Sequence, residues 1–321
     1  MRVSVIIPFY KVERYIKRCA KSLLTQTLND VEFIFVDDAS PDGSRDILMS
    51  VIREHPEKDA RILTHQSNKG LPAARNTGLA VATGDYIYHC DSDDWLEPDM
   101  LEMMLERADR DCADIVYCDF WMGFERNERY MSNPSYSNAN DLVNKGFLAG
   151  KAKYNVWNKL IKRDVYTRSG ILFPEGHSMG EDMAIIPLAT YAKRVVYIPE
   201  ALYHYFKLNT EAFSNTRSAK HLEDIRFNAE RTLSFLENKV DPSFLEFFKL
   251  NIKLPFLLSD NRDDYSIWKE WYPEANRYAM RNPELPLRTK FIQWAAANGQ
   301  FWIVDLYKIL INKLYYGRKF N

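Results

Sequence analysis

Hydrophobic and polar positions in the first hundred residues follow two different periods. Residues 3–7 form a continuous apolar run, which is typical of a strand that a parallel sheet buries on both faces. Apolar side chains then recur at helical spacing, at Val12, Tyr15, Ile16, Cys19 and Leu23. The pattern therefore predicts a buried strand followed by an amphipathic helix.

The same alternation continues to about residue 100. Further strands are predicted at residues 32–36, 62–63 and 86–90, and further helices at residues 44–54, at residues 71–82 and from Pro98 onward. Strands that alternate with helices favour a parallel sheet covered by helices. The predicted fold class is therefore α/β, with a mostly parallel sheet flanked by helices.

The last third of the chain shows helical periodicity. Residues 221–236 and 244–258 carry apolar side chains at helical spacing, and residues 291–316 are rich in Trp, Tyr and Phe. Basic residues accompany this last segment, among them Lys313, Arg318 and Lys319. These helices need a partner surface, which is the rest of the protein, a second subunit in an oligomer or, given the aromatic and basic content, a membrane surface.

Composition and charge narrow the range of functions. The 321 residues include 43 Lys and Arg against 44 Asp and Glu, for a formal net charge of −1, so no overall positive field exists to bind nucleic acid. The four cysteines show no CxxC spacing and are expected as reduced core residues. We see no signal peptide and no apolar run long enough to span a membrane, so a cytoplasmic location is expected.

Unusual polar residues follow three of the predicted strands. In open α/β sheets, ligands bind beyond the carboxyl ends of the strands, so these residues are expected to face one crevice. They are Pro8 and Tyr10 after the first strand, Asp37 and Asp38 after the second, and Asp91, Ser92, Asp93 and Asp94 after the fourth. The sequence thus predicts a ligand site at this edge of the sheet.

The acidic run after the fourth strand is a candidate metal site. Carboxylates packed this closely repel one another unless a cation lies among them, and hard oxygen ligands favour Mg²⁺ or Mn²⁺. The chain has neither GxGxxG after the first strand nor GxxxxGK[ST], so both common glycine-rich phosphate loops are missing. A divalent cation is the remaining means of holding a phosphate group.

Four motifs in the first hundred residues resemble those of family 2 glycosyltransferases. They read VSVIIPFYKVERYI, EFIFVDDASPDGS, NKGLPAARNTGL and GDYIYHCDSDDWLEPDM, and they stand in the order and spacing of that family. The resemblance implies a GT-A (Rossmann-like) fold and an inverting reaction that uses a nucleotide sugar, expected here to be a UDP-sugar.

The resemblance also implies a role for each matching residue. The nucleotide-binding set would be Pro8, Tyr10, Glu13, Asp37, Asp38, Arg75, Asp91 and Ser92. Asp37 and Asp38 would contact the base, which is usually uracil. Asp91 and Asp93 would form the DxD motif that holds the cation and the diphosphate.

The second half carries two further segments similar to acceptor-side motifs of the family, WNKLIKRD and GHSMGEDMAII. They put Asp182 at the place of the catalytic base, with a glycan or a lipid-linked glycan as acceptor. We therefore expect a glycosyltransferase domain at residues 1–215, with residues 1–100 for the nucleotide sugar and 101–215 for the acceptor. Residues 216–321 form a helical C-terminal region in this prediction. A lipid-linked acceptor would suit peripheral contact with the inner face of the membrane.

Several alternatives stay open on sequence alone. Glu181 and Asp182 lie at a predicted helix start, where adjacent acids also serve as caps. His204 suits a metal or phosphate ligand as well as a packed histidine. Lys159 suits a phosphate or acceptor contact as well as a surface lysine. A catalytically silent nucleotide-sugar-binding protein would need Asp38 and the fold but not Asp182.

Overall fold

The protein is built around one mixed sheet. The structure, a computed structural model, describes residues 1–124, 127–206 and 218–315, the last five of these by their backbone only. The strands in this part are β1 (Val3–Phe9), β2 (Val31–Asp37), β3 (Asp59–Thr64), β4 (Tyr86–His89), β5 (Trp95–Leu96), β6 (Ile115–Gly123), β7 (Glu128–Met131), β8 (Lys159–Lys162) and β9 (Val195–Phe206).

The strand order confirms the predicted α/β class. It is β3-β2-β1-β4-β8-β6-β9-β5, with β7 paired to β6. Strands β1 to β4 pair in parallel with one another, β8 joins antiparallel between β4 and β6, and β6 and β9 are again parallel. Strands β1 and β2 are buried along their whole length, as the continuous apolar run of β1 predicts for a sheet with two covered faces.

Helices connect and cover these strands. They are α1 (Ile16–Leu24), α2 (Ser44–Glu54), α3 (Leu71–Val81), α4 (Met100–Asp111), α5 (Ala139–Asp141), α6 (Arg163–Ser169), α7 (Ile185–Ala189), α8 (Ala219–Leu236), α9 (Pro242–Leu257), α10 (Asp264–Glu270), α11 (Leu287–Ala297) and α12 (Phe301–Tyr315). A π-helical turn spans Leu142–Leu148, and 3₁₀ helices span Glu181–Ala184 and Pro273–Tyr278. The helix predicted from Pro98 begins at Met100 instead.

The chain divides into two compact units. Residues 1–142 and 154–232 form the first unit, which contains the sheet, and residues 143–153 and 233–321 form the second. In the second unit Asn251 Nδ2 donates to the Leu148 carbonyl at 2.6 Å, and Asn282 Nδ2 donates to the Ala149 carbonyl at 2.9 Å. These bonds tie residues 143–153 to residues that come more than a hundred positions later in the chain.

A separate apolar core holds the second unit together. Its buried members are Leu250, Leu257, Tyr265, Trp268, Ala275, Ala296 and Val304. Lys253 is fully buried beside this core, where its Nζ donates to the Trp271 and Tyr272 carbonyls and to Asn276 Oδ1. Because these acceptors satisfy the ammonium group, the cost of burying the charge is offset in part.

The last two helices carry an exposed apolar surface. Large apolar side chains that are exposed on α11 and α12 are Leu287, Phe291, Trp294, Trp302, Leu306, Ile309 and Leu310. In the part of the chain that the structure describes, no helix combines the length and the hydropathy needed to cross a bilayer. Tyr316, Arg318 and Lys319, from the aromatic and basic segment of the sequence, lie outside the described residues.

The cysteines differ from the prediction at one position. All four are free, and Cys19, Cys90 and Cys118 are buried in the core as expected. Cys112 is exposed, so its prediction as a core residue was wrong. It ends α4 in the left-handed conformation, with φ +48°, and the helix turn that holds it there faces solvent.

Candidate active site

The three polar segments predicted to share a site lie at one edge of the sheet. In the parallel register Phe9 stands opposite Asp37, and Ile6 stands opposite His89. The edge continues past the strand ends, since Asp38 N donates to the Phe9 carbonyl at 3.0 Å and Cys90 N donates to the Ile6 carbonyl at 3.0 Å. The residues after β1, β2 and β4 therefore leave the sheet side by side.

Two of the loops that leave this edge have unusual backbone conformations. Lys11 and Ala39 adopt left-handed φ angles of +55° and +60°, which cost free energy for residues other than glycine. Tyr10 is exposed beside Lys11, and Pro8 is buried within β1 opposite Val36. Strained backbone of this kind concentrates at ligand sites, and here it flanks the predicted nucleotide residues.

The Asp38 carboxylate holds the loop that leads into α3. It is buried, and it accepts hydrogen bonds from His65 Nδ1 at 2.6 Å, from Lys69 N at 2.8 Å and from Gly70 N at 2.8 Å. His65 is fixed in turn by Thr77 Oγ1, 2.9 Å from its Nε2. Asp38 therefore fixes the shape of this side of the site through these three hydrogen bonds.

Asp37 and Glu13 organise the loop after β2. Asp37 Oδ1 accepts from Ser40 N at 2.8 Å, and its Oδ2 lies 3.6 Å from Arg45 Nη1. Glu13 Oε2 accepts from Gly43 N at 3.0 Å. Glu13 also lines a cavity of about 230 Å³, together with Lys11, Arg14, Tyr15, Pro41 and Asp42.

Arg75 connects the acidic loop after β4 with the carboxylates of the second half. Its side chain is only 1% exposed. Nη2 donates to Asp91 Oδ1 at 3.0 Å, and Nη1 donates to Glu181 Oε1 at 3.0 Å and to Asp182 Oδ1 at 2.7 Å. One guanidinium thus brings together two predicted site residues, Asp91 and Asp182, and Glu181, which lies more than a hundred residues from Arg75 in sequence.

Burial raises the pKa values of Glu181 and Asp182, two of the carboxyl groups beside Arg75. Burial raises the pKa of Glu181 to about 8, with a further contribution from the neighbouring Asp182 charge and opposition from Arg75. Burial also raises the pKa of Asp182, which Arg75 counteracts and Asp91 reinforces. The pKa of Arg75 lies above its ordinary value because the three carboxylates outweigh the effect of its burial.

Helical structure begins at Glu181, as the sequence predicts. The preceding Gly180 is left-handed, with φ +82°, and Met183 N donates to its carbonyl at 3.0 Å. Both Glu181 and Asp182 direct a carboxylate oxygen to Arg75. This contact is more than the capping alternative requires, since a cap needs only the helix's own N–H groups.

The loop before Glu181 is fastened on both sides. Asn76 on α3 exchanges two hydrogen bonds with the backbone of Phe173, at 2.9 and 3.0 Å. Asn228 Nδ2 on α8 donates to the His177 and Met179 carbonyls, at 3.2 and 3.0 Å. The position of Asp182 therefore depends on helix α3 as well as on α8.

The acidic loop after β4 divides into buried and accessible members. Asp94 is fully buried, where its carboxylate accepts from Tyr203 Oη at 2.6 Å and from Phe206 N at 2.7 Å. Burial, with the nearby Asp93 and Asp91 charges, raises the pKa of Asp94 well above its ordinary value. Asp94 thus anchors the loop to β9 and leaves Asp91 and Asp93 as the accessible carboxylates.

The accessible carboxylates fit a divalent cation that takes some of its ligands from the protein and the others from a diphosphate. Within residues 1–124, 127–206 and 218–310, no three His, Cys, Asp or Glu side chains are arranged to hold a metal ion by themselves. Mg²⁺ is usually bound by one or two carboxylates together with substrate phosphates. Asp91 and Asp93, two carboxylates separated by the buried Ser92, supply that number of protein ligands.

His204 is held between carboxylates. Its Nε2 lies 2.9 Å from Glu97 Oε1 and its Nδ1 lies 2.8 Å from Glu128 Oε1, while its ring stacks on Trp95 at a centroid distance of 4.8 Å. A metal ion bound here would have to displace one of these contacts. The role of His204 as a metal ligand stays a prediction.

Two basic residues add to the sequence-based description. Arg18, which the motifs did not single out, donates from Nη2 to the Asp93 carbonyl at 2.9 Å and stacks on Trp95 at 3.6 Å. Only its charge on the first helix could have marked it. Lys159 is buried, so the alternative of a surface lysine was wrong, and burial lowers its pKa to about 7.

Two solved structures share this fold. S. aureus TarS 1–349 in complex with UDP-GlcNAc has a TM-score of 0.69 at 20% identity, covering 100% of this chain and 93% of that one. The mannosyltransferase PcManGT from Pyrobaculum calidifontis, in complex with GDP-Man and Mn²⁺, has a TM-score of 0.55 at 17% identity, covering 98% and 81%. At these identities the likeness shows the fold alone.

Sequence comparison adds the family. The chain is 36% identical over 213 residues to the uncharacterized glycosyltransferase EpsJ of Bacillus subtilis (strain 168), which covers 63% of this chain and 60% of that protein. The chain thus spans about 60% of the length of this curated relative. The model of the family described as Glycosyl transferase family 2 matches residues 4–174, just over half of the chain. Since the matched region includes the strands and loops that form the polar edge of the sheet, the chain belongs to glycosyl transferase family 2 and has the GT-A fold.

Proposed function

We propose that this enzyme moves a sugar from a UDP-sugar to a hydroxyl group of a glycan or lipid-linked glycan, with inversion at the transferred carbon. The observation that carries the proposal is the contact of Arg75 with Asp91 and with Asp182. An inverting transfer needs charge stabilisation at the leaving diphosphate and a base at the acceptor hydroxyl. The Arg75 contact puts the candidate residues for these two tasks on either side of one side chain.

The nucleotide would bind to the first hundred residues. We assign the base and ribose to the loops after β1 and β2, where Tyr10 offers an exposed ring for stacking and Glu13 lines a cavity. Asp37 and Asp38 would accept hydrogen bonds from the base. Structures of the same fold hold UDP-GlcNAc in one case and GDP-Man in another, so the choice of base is a matter for experiment.

A divalent cation, Mn²⁺ or Mg²⁺, would be held by Asp91 and Asp93 together with the diphosphate. When bound, it would neutralise charge that develops on the leaving phosphate. The chain's own contribution is to fix this loop: Arg18 holds the Asp93 carbonyl and Asp94 is bonded to β9. Ser92, buried between the two ligands, would limit how far they can move apart.

Asp182 would act as the general base. Burial raises its pKa, which brings its basicity closer to neutral pH, where a base is most effective. We assign acceptor contacts to the segment 101–215 around it. Residues 216–321 would form a helical C-terminal region.

The exposed apolar surface of α11 and α12 suggests where a lipid-linked acceptor would be met. Trp294 and Trp302 are exposed there beside aliphatic side chains, a combination that membrane interfaces favour. We therefore propose a cytoplasmic enzyme in peripheral contact with the membrane. Contact with a second subunit is the competing explanation of the same surface.

The proposal is tested by incubating the purified chain with a panel of UDP-, GDP- and CDP-sugars in Mn²⁺ and measuring nucleoside diphosphate release. Glycosyltransferases commonly hydrolyse their donor slowly when water replaces the acceptor, so the matching UDP-sugar should give slow, metal-dependent release. A catalytically silent binding protein would instead raise its melting temperature with the same ligand and release nothing. Asp182→Asn is the matched control, because it should bind the donor and lose the release.

A further inference from the structure

We propose that Arg75 is a positioning residue and not a residue that contacts the nucleotide. It holds the proposed general base, Asp182, in place relative to the cation-binding loop that contains Asp91. The inference rests on the proposed function and departs from the role that family resemblance implies for Arg75. It is carried by geometry, because both terminal nitrogens of Arg75 are directed to carboxylates of the site.

The burial of Arg75 argues against direct contact with a ligand. Only 1% of its side chain is exposed, whereas 27% of Asp91 and 23% of Asp182 is exposed. The ring of Phe173 covers the guanidinium, whose central carbon lies 5.3 Å from the ring centroid. A ligand that enters the site therefore meets the two carboxylates before it can reach the guanidinium behind them.

The shape of the guanidinium suits this task. Its planar fork presents donors in fixed directions, and here Nη2 addresses the loop after β4 while Nη1 addresses the 3₁₀ helix that begins at Glu181. A lysine would keep the charge but could not hold both segments in the same geometry. Arg75 itself lies on α3, which packs directly against β1 and β2. Through Arg75, the carboxylates of Asp91 and Asp182 are held in fixed positions relative to β1 and β2.

Positioning of this kind matters to the rate more than to binding. Misplacement of a catalytic group by about 1 Å can cost roughly 100-fold in rate. Donor affinity depends on the loops after β1 and β2, which Arg75 does not touch in the described contacts. We therefore expect Arg75→Lys to lower kcat by roughly 100-fold while UDP affinity, measured by calorimetry in Mn²⁺, changes by less than about tenfold.

A double-mutant cycle separates positioning from general damage. If Arg75 acts through Asp182, the variant Arg75→Lys with Asp182→Asn should be no slower than Asp182→Asn alone by more than about twofold, because the base is already lost. If the two substitutions instead lower kcat by independent factors that multiply in the double variant, the proposal is overturned. A tenfold or greater loss of UDP affinity in Arg75→Lys would also overturn it and restore the nucleotide-contact role.

Arg61 provides the matched control. Its Nη2 donates to Glu32 Oε2 at 2.6 Å, so Arg61→Lys also disturbs the partner of a buried carboxylate, but at the amino end of β2. It should leave kcat unchanged. If Arg75→Lys fails to fold, adding Glu181→Gln keeps that position uncharged at every pH and supplies the variant to be measured. If the wild-type chain turns over no donor, the proposed function fails, and the Arg75 inference is then decided by the UDP affinity of Arg75→Lys.

Discussion

Replacing Asp182 with asparagine should remove turnover and spare donor binding. Asp182 Oδ1 accepts from Arg75 Nη1 at 2.7 Å, and the amide oxygen of asparagine can accept the same hydrogen bond. The substitution therefore removes the basic group and its charge without opening a gap. The loops after β1 and β2, where we expect the nucleotide, are built by other residues.

The magnitude follows from what a positioned base supplies. General-base catalysis contributes roughly 100- to 10,000-fold, so kcat should fall by at least about 100-fold. Part of the activity should remain in Asp182→Asn, because Glu181 can then accept the proton in place of Asp182. The Asp182 charge is one of the causes that raise the pKa of Glu181. Without that charge the pKa of Glu181 falls, and a larger fraction of it is ionised at neutral pH. Residual activity in Asp182→Asn should therefore be lost when Glu181→Gln is added.

The assay is initial-rate release of UDP at saturating donor and acceptor, with UDP affinity measured on the same preparations. Glu181→Gln alone should be milder, with a fall in kcat of less than about tenfold. Near-normal turnover by Asp182→Asn would refute the assignment and put the base elsewhere. Loss of binding together with loss of folded structure would instead support the view that Glu181 and Asp182 are helix caps.

Four further predictions follow from the site and the second unit. Asp38→Ala removes three hydrogen bonds, so it should weaken UDP binding, measured by calorimetry, and lower the stability of the fold by about 1–3 kcal/mol, measured by denaturant melts. Equal binding of UDP, GDP and CDP by the wild type would contradict a uracil contact. Asp93→Asn should lower turnover and Mn²⁺-dependent UDP binding together, and full-rate transfer in excess EDTA would show that the acidic loop was misinterpreted. Burial raises the folded-state pKa of Glu181 from 4.5 to about 8, so the folded state binds the proton more tightly than the unfolded state and loses stability as the pH rises through this window. The melting temperature of Glu181→Gln should therefore fall less between pH 6 and pH 9 than that of the wild type. Anionic liposomes should carry the wild type upward in flotation and Trp302→Asp less so, and a wild type that stays in the soluble fraction removes the membrane proposal.

Local periodicity was enough to predict most of the first hundred residues. The continuous apolar run of β1 is buried on both faces, β2 is buried along its whole length, and α2 has the predicted bounds Ser44–Glu54. This succeeded because strands and helices alternate along the chain there, and the first three strands also pair in the order in which they occur. Local pattern and tertiary packing then favour the same structure.

Contacts between distant segments were beyond this kind of prediction. Period and propensity do not show that residues 143–153 pack with helices beyond residue 233, or that β8 inserts between β4 and β6. The same holds for the hydrogen bonds of Arg75 to Glu181 and Asp182, which join residues 106 and 107 positions apart. The motifs identified these residues one by one, but only the fold brings them together.

The distribution of exposure among the acidic residues explains how one site can hold so many carboxyl groups. Burial raises the pKa of Asp94 well above its ordinary value and that of Glu181 to about 8, so burial disfavours the charged form of both groups, which serve as hydrogen-bonded supports. Asp91 and Asp182 are more exposed and share the Arg75 charge between them. Environments that separate neighbouring carboxyl groups in this way commonly mark a division of labour in active sites. By this argument the exposed members are the ones available to a cation and to an acceptor proton, and the buried members, whose charged form is disfavoured, keep them in place through their hydrogen bonds.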